Sequence, residues 1–327
     1  MNTFGQFFRI SIFGESHGAL AGVLVDGCPA GVALAADDFT SDLQRRRGGA
    51  KGTTARREAD VPKIASGVYD GFTTGAPIAV LFDNGDVRPA DYERFRHTPR
   101  PGHADFTTSK KWNDFNDLRG SGHFSGRLTV ALVAAGVIAK KLIAPAAVTA
   151  ELAEAGGSPH IAAAVEKAVA ENNSIGGIVT CSAKNIPVGW GSPFFNSVES
   201  LLSHLIFSIP GIKAIEFGDG FKAARLCGSE HNDAFISAAG ITQTNHAGGV
   251  NGGITNGNEL YFRVAVKPTS SIARPQTTFN LQTGQMETFS VHGRHDACIA
   301  LRVPVIVEAA TAIVLADLAQ ARKNDVA

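Results

Sequence analysis

Apolar runs at residues 7–13 and 22–26 read as two strands joined by a glycine-rich turn. Residues 39–47 read as a short helix. Residues 63–68 and 77–82 read as a hairpin pair around Gly71 and Gly75. The first long helix is expected over 127–143. Residues 146–173 are alanine-rich and expected to be helical, broken at Gly156-Gly157-Ser158-Pro159. The apolar stretches 128–143 and 303–318 are interrupted by Lys140-Lys141 and by Pro304 and Glu308. Both fall short of the roughly 20 apolar residues of a membrane span and read as buried helices, apolar on most faces.

The pattern then starts again. Pro29-Ala30-Gly31 is followed by Phe39 and Leu43, and Pro187-Val188-Gly189 by Phe195 and a helical 198–205. Gly67-Val68-Tyr69-Asp70-Gly71-Phe72-Thr73-Thr74-Gly75 matches Gly249-Val250-Asn251-Gly252-Gly253-Ile254-Thr255-Asn256-Gly257. A strand follows each, at 78–82 or 260–266, and each half ends in an apolar helix. This is a duplicated strand-and-helix unit with pseudo-two-fold symmetry, its halves roughly 1–145 and 175–327. Two such halves share one core, so a single α+β domain over 1–327 is expected.

Composition narrows the class. Of 327 residues, 44% are apolar and 18% charged, enough for a sizeable core. The formal net charge is zero, which argues against general attraction to nucleic acid or an acidic membrane. Cys28, Cys181, Cys227 and Cys298 form no C-x-x-C pair and lie near no His at zinc spacing, so no metal site is expected. They read as buried thiols of a reducing cytosol. Residues 1–11 show no signal-peptide pattern, and a cytoplasmic protein is expected.

Candidate chemistry sits in the glycine-rich loops. Gly14-Glu15-Ser16-His17-Gly18 matches the G-x-S-x-G elbow of serine hydrolases, but that motif needs a helix after the turn and 19–26 reads as a strand. What remains is a loop presenting Glu15, Ser16 and His17. Arg45-Arg46-Arg47, Lys51 and Arg56-Arg57 place six cations in thirteen residues, spaced by Gly48, Gly49 and Gly52. Read alone, the run is a solvated face, a nucleic-acid patch or an anion-binding loop; no aromatic residues interleave it as stacking platforms. Arg100-Pro101-Gly102-His103-Ala104-Asp105 combines an anion contact, a turn and a proton-transfer group. Residues 119–127 form a small-residue loop entering the first long helix, and helix N-termini attract phosphates. Asn245–Gly249 follow, then 267–271, then Gly293-Arg294-His295-Asp296.

In this order, the segments 13–18, 45–47, 100–105, 125–127, Gly218-Asp219-Gly220-Phe221, 245–249, 267–271 and 293–296 resemble the chorismate synthase family. The resemblance covers essentially the whole chain. It implies conversion of 5-enolpyruvylshikimate 3-phosphate to chorismate and phosphate, the last step of the shikimate pathway. It also implies a requirement for reduced FMN without net redox change, a homotetramer and a β-α-β sandwich. Some family members reduce their own flavin. No G-x-G-x-x-G sits at a strand-to-helix junction here, so no nicotinamide (NADP) domain is expected and an external flavin reductase is.

The resemblance assigns roles to particular residues. Arg46, with Arg47, Lys51, Arg127 and Arg302, would neutralise the substrate's two carboxylates and phosphate. His17 would protonate the departing phosphate, His103 would stabilise the reduced flavin anion, and Asp296 would assist proton removal at flavin N5. FMN contacts carried over are His123, Phe124, Ser125, Pro210, Gly211, Gly252, Lys267, Pro268, Thr269, Ser270, Ser271 and Arg294. The match departs at His123, Leu128 and Pro210, where relatives often have Arg or Lys, Glu or Ser, and Asn. The alternatives kept open are a serine hydrolase using Ser16 and a nucleic-acid binder using the cations of 45–57.

Overall fold

Segments with two-residue apolar periodicity pair into two antiparallel sheets, and the long apolar segments pack between them as helices. The computed structural model describes residues 2–325 apart from Arg57, Arg88, His292 and Arg294. Among the described residues, one sheet has five strands in the order Thr3–Phe4, Arg9–Gly14, Leu20–Asp26, Ile78–Asp83, Lys63–Ser66. The other has four, in the order Ile212–Phe217, Leu260–Val266, Gly177–Lys184, Ala147–Ala155. Burial alternates along the strands, so Leu260, Phe262, Val264 and Val266 face the core. Register brings apolar residues together: Val23 opposes Val80 in the first sheet, and Val264 opposes Val179 in the second.

Helix Thr129–Ile143 lies on the first sheet and helix Pro304–Asp325 on the second, and the two helices pack against each other. The layers are therefore sheet, helices, sheet, and buried residues of both halves form one contiguous core. Each helix is covered on several sides, which is why its sequence shows no polar face. The helices approach closely at Gly136, where a Cβ would lie 2.3 Å from the Ala309 Cβ. Segment Pro304–Lys323 reaches the length and hydropathy of a membrane span, contrary to the shorter reading of its sequence, but 78% of its apolar window is buried inside the fold.

The duplicated motif repeats hydrogen bond by hydrogen bond. The Thr73 hydroxyl donates to Pro29 O (2.6 Å) and accepts from Val32 N (2.9 Å). The Thr255 hydroxyl donates to Pro187 O (2.7 Å) and accepts from Trp190 N (2.9 Å). Gly31 N donates to Thr73 O, as Gly189 N does to Thr255 O. Each threonine is on a two-stranded hairpin, Val68–Tyr69 with Phe72–Thr73 or Val250–Asn251 with Ile254–Thr255.

Two expectations are corrected. Ala147–Ala155 is a strand, not a helix, with its outer residues exposed and Val148 and Ala155 buried. Pairing with Gly177–Lys184 overrides the helix propensity of its alanines, and the helix begins only at Ile161–Ala170. Cys28, Cys181 and Cys298 are buried, but Cys227 is exposed. Burial pushes the Cys181 thiol up to about 12.

Candidate active site

Both long helices begin beside one cleft of about 1020 Å³. Their positive dipole ends add to whatever cations the loops bring there. Arg46 arrives at the end of helix Thr40–Arg46, Arg127 in the turn Gly126–Leu128, and Arg302 in the turn Ile299–Arg302. All three line the cleft with Arg47.

Asp60, fully buried, organises this cluster. Its Oδ2 lies 2.6 Å from Arg46 Nη2, and its Oδ1 accepts from Arg127 Nη1. Burial opposes ionisation of Asp60, yet the Arg46 and Arg127 charges outweigh it and hold its carboxyl below the usual carboxylate range. Burial likewise pushes Arg46 down to about 10, against the attraction of Asp60, so Arg46 stays charged at neutral pH. Asp296 accepts from Thr54 N (2.9 Å) and Arg302 Nη1 (3.1 Å), while Arg302 Nε donates to Arg46 O (2.8 Å). Four guanidiniums thus meet two carboxylates, and the Nε donors of Arg46 and Arg47 are buried without a hydrogen-bond partner. The excess of positive charge suits an anion entering the cleft.

The loop 14–18 runs between strands Arg9–Gly14 and Leu20–Asp26, so the hydrolase elbow lacks its helix. Ser16 is fully buried, and its Oγ accepts from Arg56 Nη1 at 2.7 Å. Nothing supports a serine hydrolase. His17 is 7% exposed and sits just behind the cleft lining, its Nδ1 3.2 Å from Ser16 Oγ and its ring edge-on to Tyr92. Gly120 covers the ring; with φ +57°, a Cβ there would lie 2.2 Å from His17 Nδ1.

His103 belongs to a second buried network. Arg100 does not serve as a free anion contact: its guanidinium is held by Asp105 at 2.7 and 2.8 Å and by Ser271 Oγ at 2.9 Å, over the Phe95 ring. His103 Nδ1 lies 2.7 Å from Asp105 Oδ1, which makes Nδ1 the donor and leaves Nε2 to accept from Ser121 Oγ at 3.0 Å. Burial lowers the His103 pKa, against the hydrogen bond to Asp105. Burial works against ionisation of Asp105 too, but hydrogen bonds from Arg100 and His103 hold it far below the usual carboxylate range.

A pH dependence follows. Protonating His103 is harder in the folded chain than in the unfolded one, so its contribution to stability is present above the ordinary value of 6.5 and is lost as pH falls through the lower folded value. Asp105 adds a further loss below its ordinary 3.8. His103→Gln is expected to flatten the fall in urea midpoint between about pH 7 and pH 5; an unchanged slope would show that His103 titrates normally.

The far end of the cleft is built from 208–213 and 267–271. Lys267 Nζ donates to Gly102 O and Ser270 Oγ, both at 2.7 Å, and burial plus the nearby Lys213 lower its pKa. Pro210, Gly211, Pro268, Thr269, Ser270 and Ser271 line this end. His123, Phe124 and Ser125 line the wall, although both ring nitrogens of His123 are already engaged, by Gly14 O (2.8 Å) and Asn2 Oδ1 (3.1 Å).

The structure does not gather every expected residue. Lys51 points to solvent and pairs with Glu166 at 2.6 Å. Gly252 sits at an exposed hairpin turn away from the cleft. Arg294 and Arg57 lie outside the described residues. Arg45 leaves the cleft for Glu308, so the cation run is divided among an anion wall, a loop clamp and the surface. Asp60, Asn84, Glu58 and Lys213 were not expected; Arg56 was read only as one of the run's cations, and of the rest only Asp60, an acid after that run, left any trace in the sequence.

Comparison with known proteins bears on this arrangement. A family model described as chorismate synthase matches residues 8–319. The chain is 58% identical over 329 residues to the chorismate synthase of Chitinophaga pinensis, covering 100% of this chain and 99% of that one. It is 41% identical over 340 residues to that of Thermococcus kodakarensis, covering 96% of each. A crystal structure of a chorismate synthase matches with a TM-score of 0.75 at 25% identity, covering 96% of this chain and 92% of the other. With a fold, a cleft and a sequence that all agree along their length, the chain belongs to the chorismate synthase family.

Proposed function

We propose that this cleft eliminates phosphate from 5-enolpyruvylshikimate 3-phosphate in the anti-1,4 sense to give chorismate. The observation that carries the reading is the excess of positive charge around Asp60, where the guanidiniums of Arg46, Arg47, Arg127 and Arg302 line the cleft against the two carboxylates of Asp60 and Asp296. A substrate with two carboxylates and a phosphate matches it. Arg46, Arg47, Arg127 and Arg302 bind those groups.

The rest of the cleft fits a flavin. Leu128, Leu132, Ile209 and Ile299 supply apolar wall, and Lys213 and Lys267 suit a phosphate. Ser125, Phe124, Gly211 and 267–271 hold the cofactor in this reading. Bound reduced FMN supplies transient electron density and a basic ring nitrogen, with no net redox change. His17, against the cleft-lining Ser16, protonates the leaving phosphate. His103 faces the cleft as a neutral imidazole that an anionic ligand would drive towards protonation. Asp296, which accepts hydrogen bonds from Arg302 and Thr54, would assist proton removal at the flavin. The protein works as a cytoplasmic homotetramer of single-domain subunits, with reduced flavin supplied by a separate reductase.

The test is anaerobic incubation with substrate and reduced FMN: chorismate and phosphate form in equal amounts, and no product from folded protein rules the reading out. Arg46→Ala is expected to raise KM for substrate by about tenfold or more, the scale of one lost charged hydrogen bond. An unchanged KM would move substrate away from Arg46.

A further inference from the structure

Asn84 follows strand Ile78–Asp83 and stands behind the cleft wall, yet it joins two parts of the site. Its Nδ2 donates to Glu15 O and to Gly18 O, each at 2.9 Å, bracketing His17 in the chain. Its Oδ1 accepts from Arg127 Nε at 2.9 Å, and its backbone N–H donates to Ala19 O at 3.1 Å. The amide has one possible orientation, because the oxygen must meet the guanidinium and the nitrogen must meet two carbonyls.

Resting on the reading of His17 as proton donor and Arg127 as substrate cation, we infer that Asn84 is a positioning residue that sets the His17 loop in register with Arg127. Without it the loop stays attached, since Ser16 O still accepts from Arg56 and Ser16 N still donates to Gly122 O. Arg127 likewise keeps Asp60 and Asp83 O. What is lost is the link that makes donor and cation meet one leaving group together. Misplacement on the scale of an ångström is enough to slow chemistry about a hundredfold.

The test compares Asn84→Ala and Asn84→Asp in the full chain, assayed anaerobically with substrate and reduced FMN. Asp keeps the acceptor for Arg127 but turns an anion on the Glu15 and Gly18 carbonyls; Ala removes both links. Both are expected to lower kcat by about 10- to 100-fold. KM for substrate should rise only in Asn84→Ala, where Arg127 Nε loses its acceptor, and affinity for reduced FMN should change in neither. In the protein without substrate, the His17 ring resonance, assigned by its loss in His17→Ala, should shift in both variants together with its titration. Wild-type kcat in both variants while His17→Ala is slow overturns the inference, as does an unmoved His17 resonance or loss of the folded spectrum in both. A shifted resonance with wild-type turnover in His17→Ala supports the positioning link and instead refutes His17 as the acid.

Discussion

His17→Ala is expected to slow turnover by on the order of 10²-fold or more, the usual scale for lost general acid help. The expectation rests on placement. His17 is almost fully buried, touches Ser16 Oγ, stacks edge-on against Tyr92 and lies under Gly120, so its ring has one position to act from. Ser16 is the competing residue in the same loop, but Arg56 already donates to its hydroxyl. KM and flavin affinity should change little, because the proposed carboxylate and phosphate contacts are cleft-lining arginines on other elements. Steady-state kinetics with reduced FMN in excess measures this. A kcat within a few-fold of wild type means that another group protonates the phosphate.

Asp60→Ala is expected to destabilise the fold by about 3–5 kcal/mol, as removal of one member of a buried ion pair does. Its carboxylate is the shared partner of Arg46 and Arg127, both nearly inaccessible to water, and Arg47 Nε is 3.9 Å away. Replacement leaves those guanidiniums buried beside Arg302 with one fewer counter-charge. The same reasoning predicts partial rescue: an anion bound in the cleft supplies the missing charge, so inorganic phosphate should stabilise Asp60→Ala more than wild type. Urea denaturation with and without phosphate reads both effects. A loss under about 1 kcal/mol would show that the cluster is hydrated, not buried.

Much of the fold was legible because its elements carry strong periodic signals. Strand Leu260–Val266 was expected with its observed bounds, and helix Pro304–Asp325 appeared as an apolar stretch. The repeat was visible because Thr73 and Thr255 do the same local work on backbone groups, which restricts sequence at both copies. Strand Ala147–Ala155 was hidden because alanine composition resembles a helix while edge pairing decides its state. The α+β class came from the apolar pattern and its repeat, while the β-α-β sandwich and the activity came from resemblance over the whole chain rather than from any one loop. Within the site, Arg46, Arg127, Arg302, His103 and Asp296 were named from the sequence, and the structure brings them to one cleft. Lys51 was misplaced because adjacent cations in a glycine-rich loop point in different directions, and sequence spacing does not say which face the cleft. Asn84 and Asp60 were missed because their roles come from neighbours 43 to 69 and 14 to 67 residues away in the chain respectively, across a sheet and a helix start.

The central claim is that the cleft uses a reduced flavin to expel phosphate without consuming it. The direct measurement is the amount of chorismate formed per reduced FMN under strict anaerobiosis, with the flavin spectrum followed throughout. Many equivalents of chorismate and phosphate per flavin, with the flavin still reduced at the end, is the predicted result. Product limited to one equivalent per flavin with the flavin oxidised, or product formed equally well with oxidised FMN, would contradict it.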